Sequence, residues 1–208
     1  MHPTNNRIAD LVPEVRTWRR WLHQNPELQF DLPKTSRYIA DQLGTMEIDE
    51  IHENIAQTGI VAIIKGTGDG PTIALRADMD ALPMDEFSTD EHASQTPGAM
   101  HACGHDGHSA MLLGAAKYLA ETRNFSGTVV LIFQPAEEGG TGAKAMMDTG
   151  LFERFGIDEV YGMHNMPNLP VGQFGLRSGP VLAATDFFYV EIEGVGGHAS
   201  RPHKCNDP

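Results

Sequence analysis

The chain has 208 residues, of which 40% are hydrophobic and 21% charged, a globular composition rather than a disordered or fibrous one. Lys and Arg number 15 against 28 Asp and Glu, a formal net charge of −13. That balance argues against a nucleic-acid or anionic-membrane partner, because like charge repels phosphate. Two cysteines, Cys103 and Cys205, exclude a disulfide scaffold and leave open a thiolate ligand or nucleophile. The N-terminus has no basic stretch followed by an apolar one, and no apolar run reaches the roughly 18 residues that span a bilayer. A cytoplasmic protein is expected.

Taken in chain order, Ile8, Leu11, Val12, Val15, Trp18 and Leu22 recur at three and four, which predicts an amphipathic helix ending near Asn25-Pro26. A second helix is expected over 34–43, stopped by Gly44. Apolar strands are expected over 59–65 and 72–76, joined by a Gly- and Pro-rich turn at 66–71. A helix follows over 107–122, then a buried strand over 128–133. A short helix should begin over 141–147, with Gly150 closing it, and a strand should run over 158–163. Trp18, Trp21 and the Ala110-Met111 stretch are expected in the core. Alternating strands and helices predict an α/β fold with a central mixed sheet flanked by helices.

Past Pro180 the pattern changes. A partly alternating strand is expected over 187–193, followed by the Gly-rich run 194–200. Asn206-Asp207-Pro208 reads as a helix start. A lone strand is a poor end for a domain. The expected organisation is one domain over 1–180 and the truncated beginning of a second over 181–208.

Ten histidines, four of them between His92 and His108, point toward the chemistry. In open α/β sheets ligands sit beyond the carboxyl ends of the strands. There stand Arg76-Ala-Asp78-Met-Asp80, His101-Ala-Cys103-Gly-His105-Asp106, Pro135-Ala-Glu137-Glu138 and Met163-His164-Asn165. Cys103 and His105, on an irregular segment with Gly104 to turn it, can direct thiolate and imidazole at one metal ion. They can equally be a buried structural Cys beside a solvated His, or a nucleophile and its base. Glu137 and Glu138 suit a solvated helix face, or a metal ligand beside a general base. His164 suits a structural hydrogen bond or a fourth donor. His101 and His108 flank the site in either role. His2, His23, His52, His92 and His203 read as solvated or structural, and Cys205 as a free thiol.

The segments RADMDALP (76–83), MHACGHDGH (100–108), QPAEEGGTGA (134–143), GMHN (162–165) and GVGGHASRPH (194–203) together resemble the M20 metallopeptidase superfamily. The closer resemblance is to its amidohydrolase branch of hippurate, N-acyl-amino-acid and auxin-conjugate hydrolases, from about Arg16 onward. It implies a catalytic α/β domain holding two divalent metals, Zn or Mn, and an α+β lid that mediates homodimerisation. It makes Cys103, His105, Glu138 and His164 metal ligands, with Cys103 bridging. Glu137 becomes the general base and His198 a lid residue reaching the neighbouring subunit's substrate. One further ligand His of the family lies beyond this sequence. Arg76 stands where many superfamily members carry a ligand His, and is not assigned as one. Asp78 and Asp80 are expected to orient ligands or substrate.

The implied reaction is metal-dependent hydrolysis of the amide of a small N-acyl amino acid, giving a carboxylic acid and a free amino acid. The alternatives are a dipeptidase or carboxypeptidase on the same site, a metal-binding module without turnover, and a cysteine hydrolase using Cys103.

Overall fold

The computed structural model describes residues 6–184, 186 and 188–206. By internal contact the chain forms two units, Met1–Asn165 and Met166–Pro208.

The first unit opens with α1 (Asn6–Gln24) and α2 (Pro33–Gly44). Pro33 suits the first helical turn, where its missing N–H would have no partner. Leu11, Trp18 and Leu22 of α1 are buried, but Ile8 and Val12 of the same apolar series are exposed. The inward stripe of α1, which packs on α3 (His105–Thr122), is thus narrower than the pattern suggests. Trp21 is half-buried and stacks on Tyr38, with ring centroids 3.7 Å apart. Ala110 joins the core while its neighbour Met111 is exposed, because adjacent helical positions point in different directions.

Five strands form one sheet in the order β1-β2-β4-β3-β5: β1 (Glu50–Ile55), β2 (Gly59–Lys65), β3 (Thr72–Asp78), β4 (Thr128–Gln134) and β5 (Glu159–Gly162). The β1–β2 and β2–β4 pairs are antiparallel, whereas β3 runs parallel to both β4 and β5. The sheet is therefore mixed, as expected. The unbroken apolar run of β2 is explained by cover on both faces. Ile60, Ala62, Ile64, Leu131 and Phe133 pack with Trp18, Leu22, Ile39, Leu43 and Leu113 of the first three helices. Val61, Ala74, Val130 and Ile132 pack on the other face with Met146 and Leu151. Those two residues come from α4 (Gly142–Met147) and α5 (Leu151–Phe155). Complete burial of side chains such as Phe133 and Leu131 contributes about 1.5–3 kcal/mol each.

Two elements escape the sequence patterns. The strand β1 is a polar edge strand, EIHENI, with little β propensity. Its turn into β2 puts Ala56 and Gln57 at φ of +50° and +76°, where Gly or Asn would be the readable signal. Gly150 does not close α4 but precedes α5, at φ +75°.

In the second unit the described residues hold a 3₁₀ turn, Pro202–Lys204, and an isolated bridge between Val195 and Asn206. The strand expected over 187–193 is a correction. Phe187 lies outside the described residues, and 188–193 are irregular, with Phe188, Tyr189, Val190 and Ile192 exposed. A strand needs a neighbour to take its N–H and C=O groups, and no described residue pairs with this segment. Of the expected helix start, Asp207 and Pro208 lie outside the described residues. Among the described residues no helix is long and apolar enough to cross a membrane.

Candidate metal centre

The parallel strands β3, β4 and β5 deliver their carboxyl ends to one place, which is why residues far apart in sequence meet there. Asp78 ends β3 and Asp80 follows it. Glu137 and Glu138 lie in the turn after β4, and His164 lies just beyond β5. His105 is the first residue of α3 rather than part of an irregular segment, and Cys103 precedes it in the loop. Gly104 between them sits at φ +92°, and a Cβ there would lie 2.6 Å from Asn165 Oδ1. Only glycine fits both the left-handed backbone and that contact.

His105 is completely buried. Its Nδ1 donates to the Asp80 carbonyl oxygen at 2.8 Å, so in the neutral ring Nε2 is the nitrogen that carries the lone pair. That Nε2 lies 3.7 Å from Asp78 Oδ2, 3.9 Å from Glu137 Oε2 and 3.8 Å from Glu138 Oε1. Cys103 Sγ and His164 Nε2 are 3.4 Å apart. Among the described residues three donor groupings result, each with ligand atoms within 4.8 Å: Cys103, His105 and His164; His105, Glu137 and Glu138; Asp78, His105 and His108. His105 belongs to all three.

The surrounding charge is strongly negative. Burial, followed by the influence of Glu138, Glu137 and Asp78, pushes the Cys103 thiol up to about 12. Burial also raises the Glu138 carboxyl, with Glu137 and Asp80 adding to it and His105 opposing. Burial alone would lower the His105 pKa, but the hydrogen bond to Asp80 and the nearby carboxylates outweigh it and the net shift is upward. Burial likewise works against ionised Asp78, yet the His108 hydrogen bond and the charges of Arg76, His105 and His108 bring it down to about 2.

Among the described residues, the buried atoms His105 Nε2 and Glu138 Oε1 have no hydrogen-bond partner. Such atoms are rare unless a water or ion completes them. Thiolate, imidazole and carboxylate donors around them fit a divalent first-row cation.

Five of the residues singled out from the sequence, Cys103, His105, Glu137, Glu138 and His164, come together here. His198 lies in the second unit, exposed, where its Nδ1 accepts the Ser200 N–H at 3.2 Å. His108 has both nitrogens engaged. Its Nδ1 donates to Asp78 Oδ1 at 2.6 Å, and its Nε2 accepts the Asn165 N–H at 3.0 Å. Arg76 donates to Asp78 Oδ2 at 2.7 Å and to Gln134 Oε1 at 2.8 Å, so it braces a carboxylate instead of facing a cation.

A neighbouring buried network was not legible as such. His23 lies between Asp106 Oδ2 at 2.8 Å and Glu86 Oε1 at 3.3 Å, and Arg19 also donates to Asp106 Oδ2. His101 is buried with neither ring nitrogen bonded among the described residues, and burial brings it down to about 4.

The family model for peptidase family M20/M25/M40 matches residues 74–208. The chain is 47% identical over 201 residues to a hippurate hydrolase of Campylobacter jejuni, covering 97% of this chain and 52% of that protein. It is 48% identical over 191 residues to the IAA-amino acid hydrolase ILR1-like 4 of Arabidopsis thaliana, covering 91% of this chain and 42% of that one. A solved structure of the Bacillus subtilis YXEP protein, described as a dinuclear metal-binding peptidase of the M20 family, superposes with a TM-score of 0.78 at 43% identity. It covers 83% of this chain and 48% of its own. The chain thus spans about half the length of the relatives it matches. With the motifs, the mixed sheet and the donor cluster in agreement, the chain belongs to peptidase family M20/M25/M40.

Proposed function

We propose that this protein hydrolyses the amide bond of small N-acyl amino acids, releasing a carboxylic acid and a free amino acid. The observation that carries the reading is the convergence of Cys103, Glu137, Glu138 and His164 on the unpartnered Nε2 of His105. The two hydrolases reported above, named for hippurate and for IAA-amino acids, support an acylated amino acid as the substrate class.

Cys103, His105, Glu138 and His164 would hold the divalent cations. Thiolate favours Zn²⁺ and the carboxylates also admit Mn²⁺. When bound, the cations would polarise the amide carbonyl and make water a better nucleophile. Glu137 takes a proton from the attacking water and delivers it to the leaving amine. Its neighbour Glu138 serves as a ligand, its side chain being the more buried of the two and its Oε1 without a hydrogen-bond partner among the described residues.

Residues 1–180 would form the N-terminal part of the catalytic metal-binding domain and 181–208 the beginning of a lid that mediates homodimerisation. His198 would reach the partner's substrate and stabilise the oxyanion. Cytoplasm is the proposed location.

The test is turnover of N-benzoyl and N-acetyl amino acids beside unblocked dipeptides, before and after chelation and after adding back Zn²⁺ or Mn²⁺. Loss and recovery of N-acyl hydrolysis is expected. Preference for dipeptides would move the assignment to a dipeptidase. Full activity in a verified metal-free sample would overturn the metal mechanism and favour a Cys103 nucleophile.

A further inference from the structure

One carboxylate touches the centre on two sides without belonging to any of its donor groupings. Asp80 follows β3 and is 1% exposed. Its Oδ1 accepts the Glu137 N–H at 2.9 Å and its Oδ2 accepts the Glu138 N–H at 3.1 Å. Its main-chain carbonyl accepts Nδ1–H of His105 at 2.8 Å. Both carboxylate oxygens are therefore taken up by amides of the turn after β4, while the carbonyl holds the first residue of α3.

The turn it holds needs holding. Ala136 stands at φ +51°, a left-handed conformation that a residue with a Cβ adopts only when its surroundings impose it. The Ala136 N–H donates to the Gln29 carbonyl at 3.0 Å and its carbonyl accepts the Gly142 N–H at 3.0 Å. A Cβ on Gly142 would fall 1.7 Å from the Pro135 oxygen, so the turn closes tightly on itself. Within it Glu137 and Glu138 supply N–H groups whose direction fixes where their side chains leave the backbone. A carboxylate accepts two such groups at once, and charge-assisted bonds of this kind are about twice as strong as neutral ones.

We infer that Asp80 is the positioning residue of the metal centre. It sets the spacing between the Glu137–Glu138 pair and His105 Nε2 by gripping the backbone of one and the imidazole of the other. The inference rests on the metallohydrolase reading, and its chemistry lies in geometry: Asp80 gives the metals no oxygen. Substitution Asp80→Asn leaves the carbonyl bond to His105 in place but turns one acceptor into an NH₂ group. That group meets an amide N–H donor to donor, so one of the two grips is lost.

The probe is Co²⁺, added to the metal-free chain and followed by its visible absorption. Asp80→Asn should bind Co²⁺ about 10–100-fold more weakly, the usual cost of losing a ligand's supporting hydrogen bonds. Its absorption bands should be shifted, while the far-UV circular dichroism of the metal-free protein stays that of the wild type. Equal affinity with identical bands in a folded variant would overturn the inference. Absence of Co²⁺ binding by the wild type would instead overturn the metallohydrolase reading. Hydrogen exchange on the metal-free wild type decides the positioning role separately, including when the variant does not fold. The Glu137 and Glu138 amides should be protected, and exchange at open-chain rates would overturn the grip itself.

Discussion

Cys103 Sγ and His164 Nε2 lie 3.4 Å apart although 61 residues separate them in sequence. Neither belongs to a helix or strand. What joins them is the parallel pairing of β5 with β3, in which Arg76 sits opposite Gly162, together with α3 starting right after Gly104. If both bind one cation, Cys103→Ser and His164→Ala should act as a unit. Their combined effect on Zn²⁺ affinity should depart from the sum of the single effects by about 0.5–3 kcal/mol. Competition titration against a chromophoric chelator measures this, and strictly additive losses would separate the two residues.

Glu137 and Glu138 should fail differently. Glu137→Gln should keep its metal and lose about 10²–10⁴-fold in kcat, the usual contribution of a general base. Glu138→Ala should lower metal occupancy, because it removes a ligand oxygen. Metal analysis and steady-state kinetics on the same preparations distinguish them, and the opposite pattern would exchange their roles.

Stability should depend on His23. Its hydrogen bond to Asp106 outweighs burial and, with the charges of Asp106 and Glu86, holds His23 above its ordinary value of 6.5. Arg19 shares Asp106, His92 influences Glu86, and the His101 ring lies 6.3 Å away. Because the folded pKa is raised, the protonated form is favoured by folding. Its contribution is complete below the unfolded value and is lost as pH rises through the folded one. His23→Gln should therefore cost about 1–3 kcal/mol at low pH, where a buried charged pair is broken. The difference in Tm between wild type and variant should shrink as pH is raised from about 6 to about 9. A gap that widens over that range would contradict the assignment.

Gly104→Ala should damage both fold and site. The φ of +92° and the 2.6 Å approach to Asn165 Oδ1 leave no unstrained place for a methyl group. The expected loss is about 1–3 kcal/mol, accompanied by weaker metal binding because Cys103 and His105 flank the residue. Denaturant unfolding with a parallel Zn²⁺ titration tests this, and a variant of wild-type stability and affinity would refute it.

By itself the sequence determined the elements whose patterns are local. The apolar runs of β2, β3 and β4 follow from burial on two faces, and the periodicity of α1 from burial on one. The motif segments likewise supplied the donor types, because thiol, imidazole and carboxylate are identities rather than geometries. Local pattern was insufficient where a partner decides. Edge strand β1 is too polar to announce itself and exists through β2, while 188–193 has strand-like composition but no described neighbour to pair with. Only the tertiary structure decided that His105 keeps Nε2 free, since that depends on the Asp80 carbonyl holding Nδ1. Only there do both Asp80 oxygens meet the amides of Glu137 and Glu138, and does His23 lie buried between Asp106 and Glu86. Hydrogen bonds and charges of this kind join residues distant along the chain, and their distances are fixed by how the strands register and the helices pack.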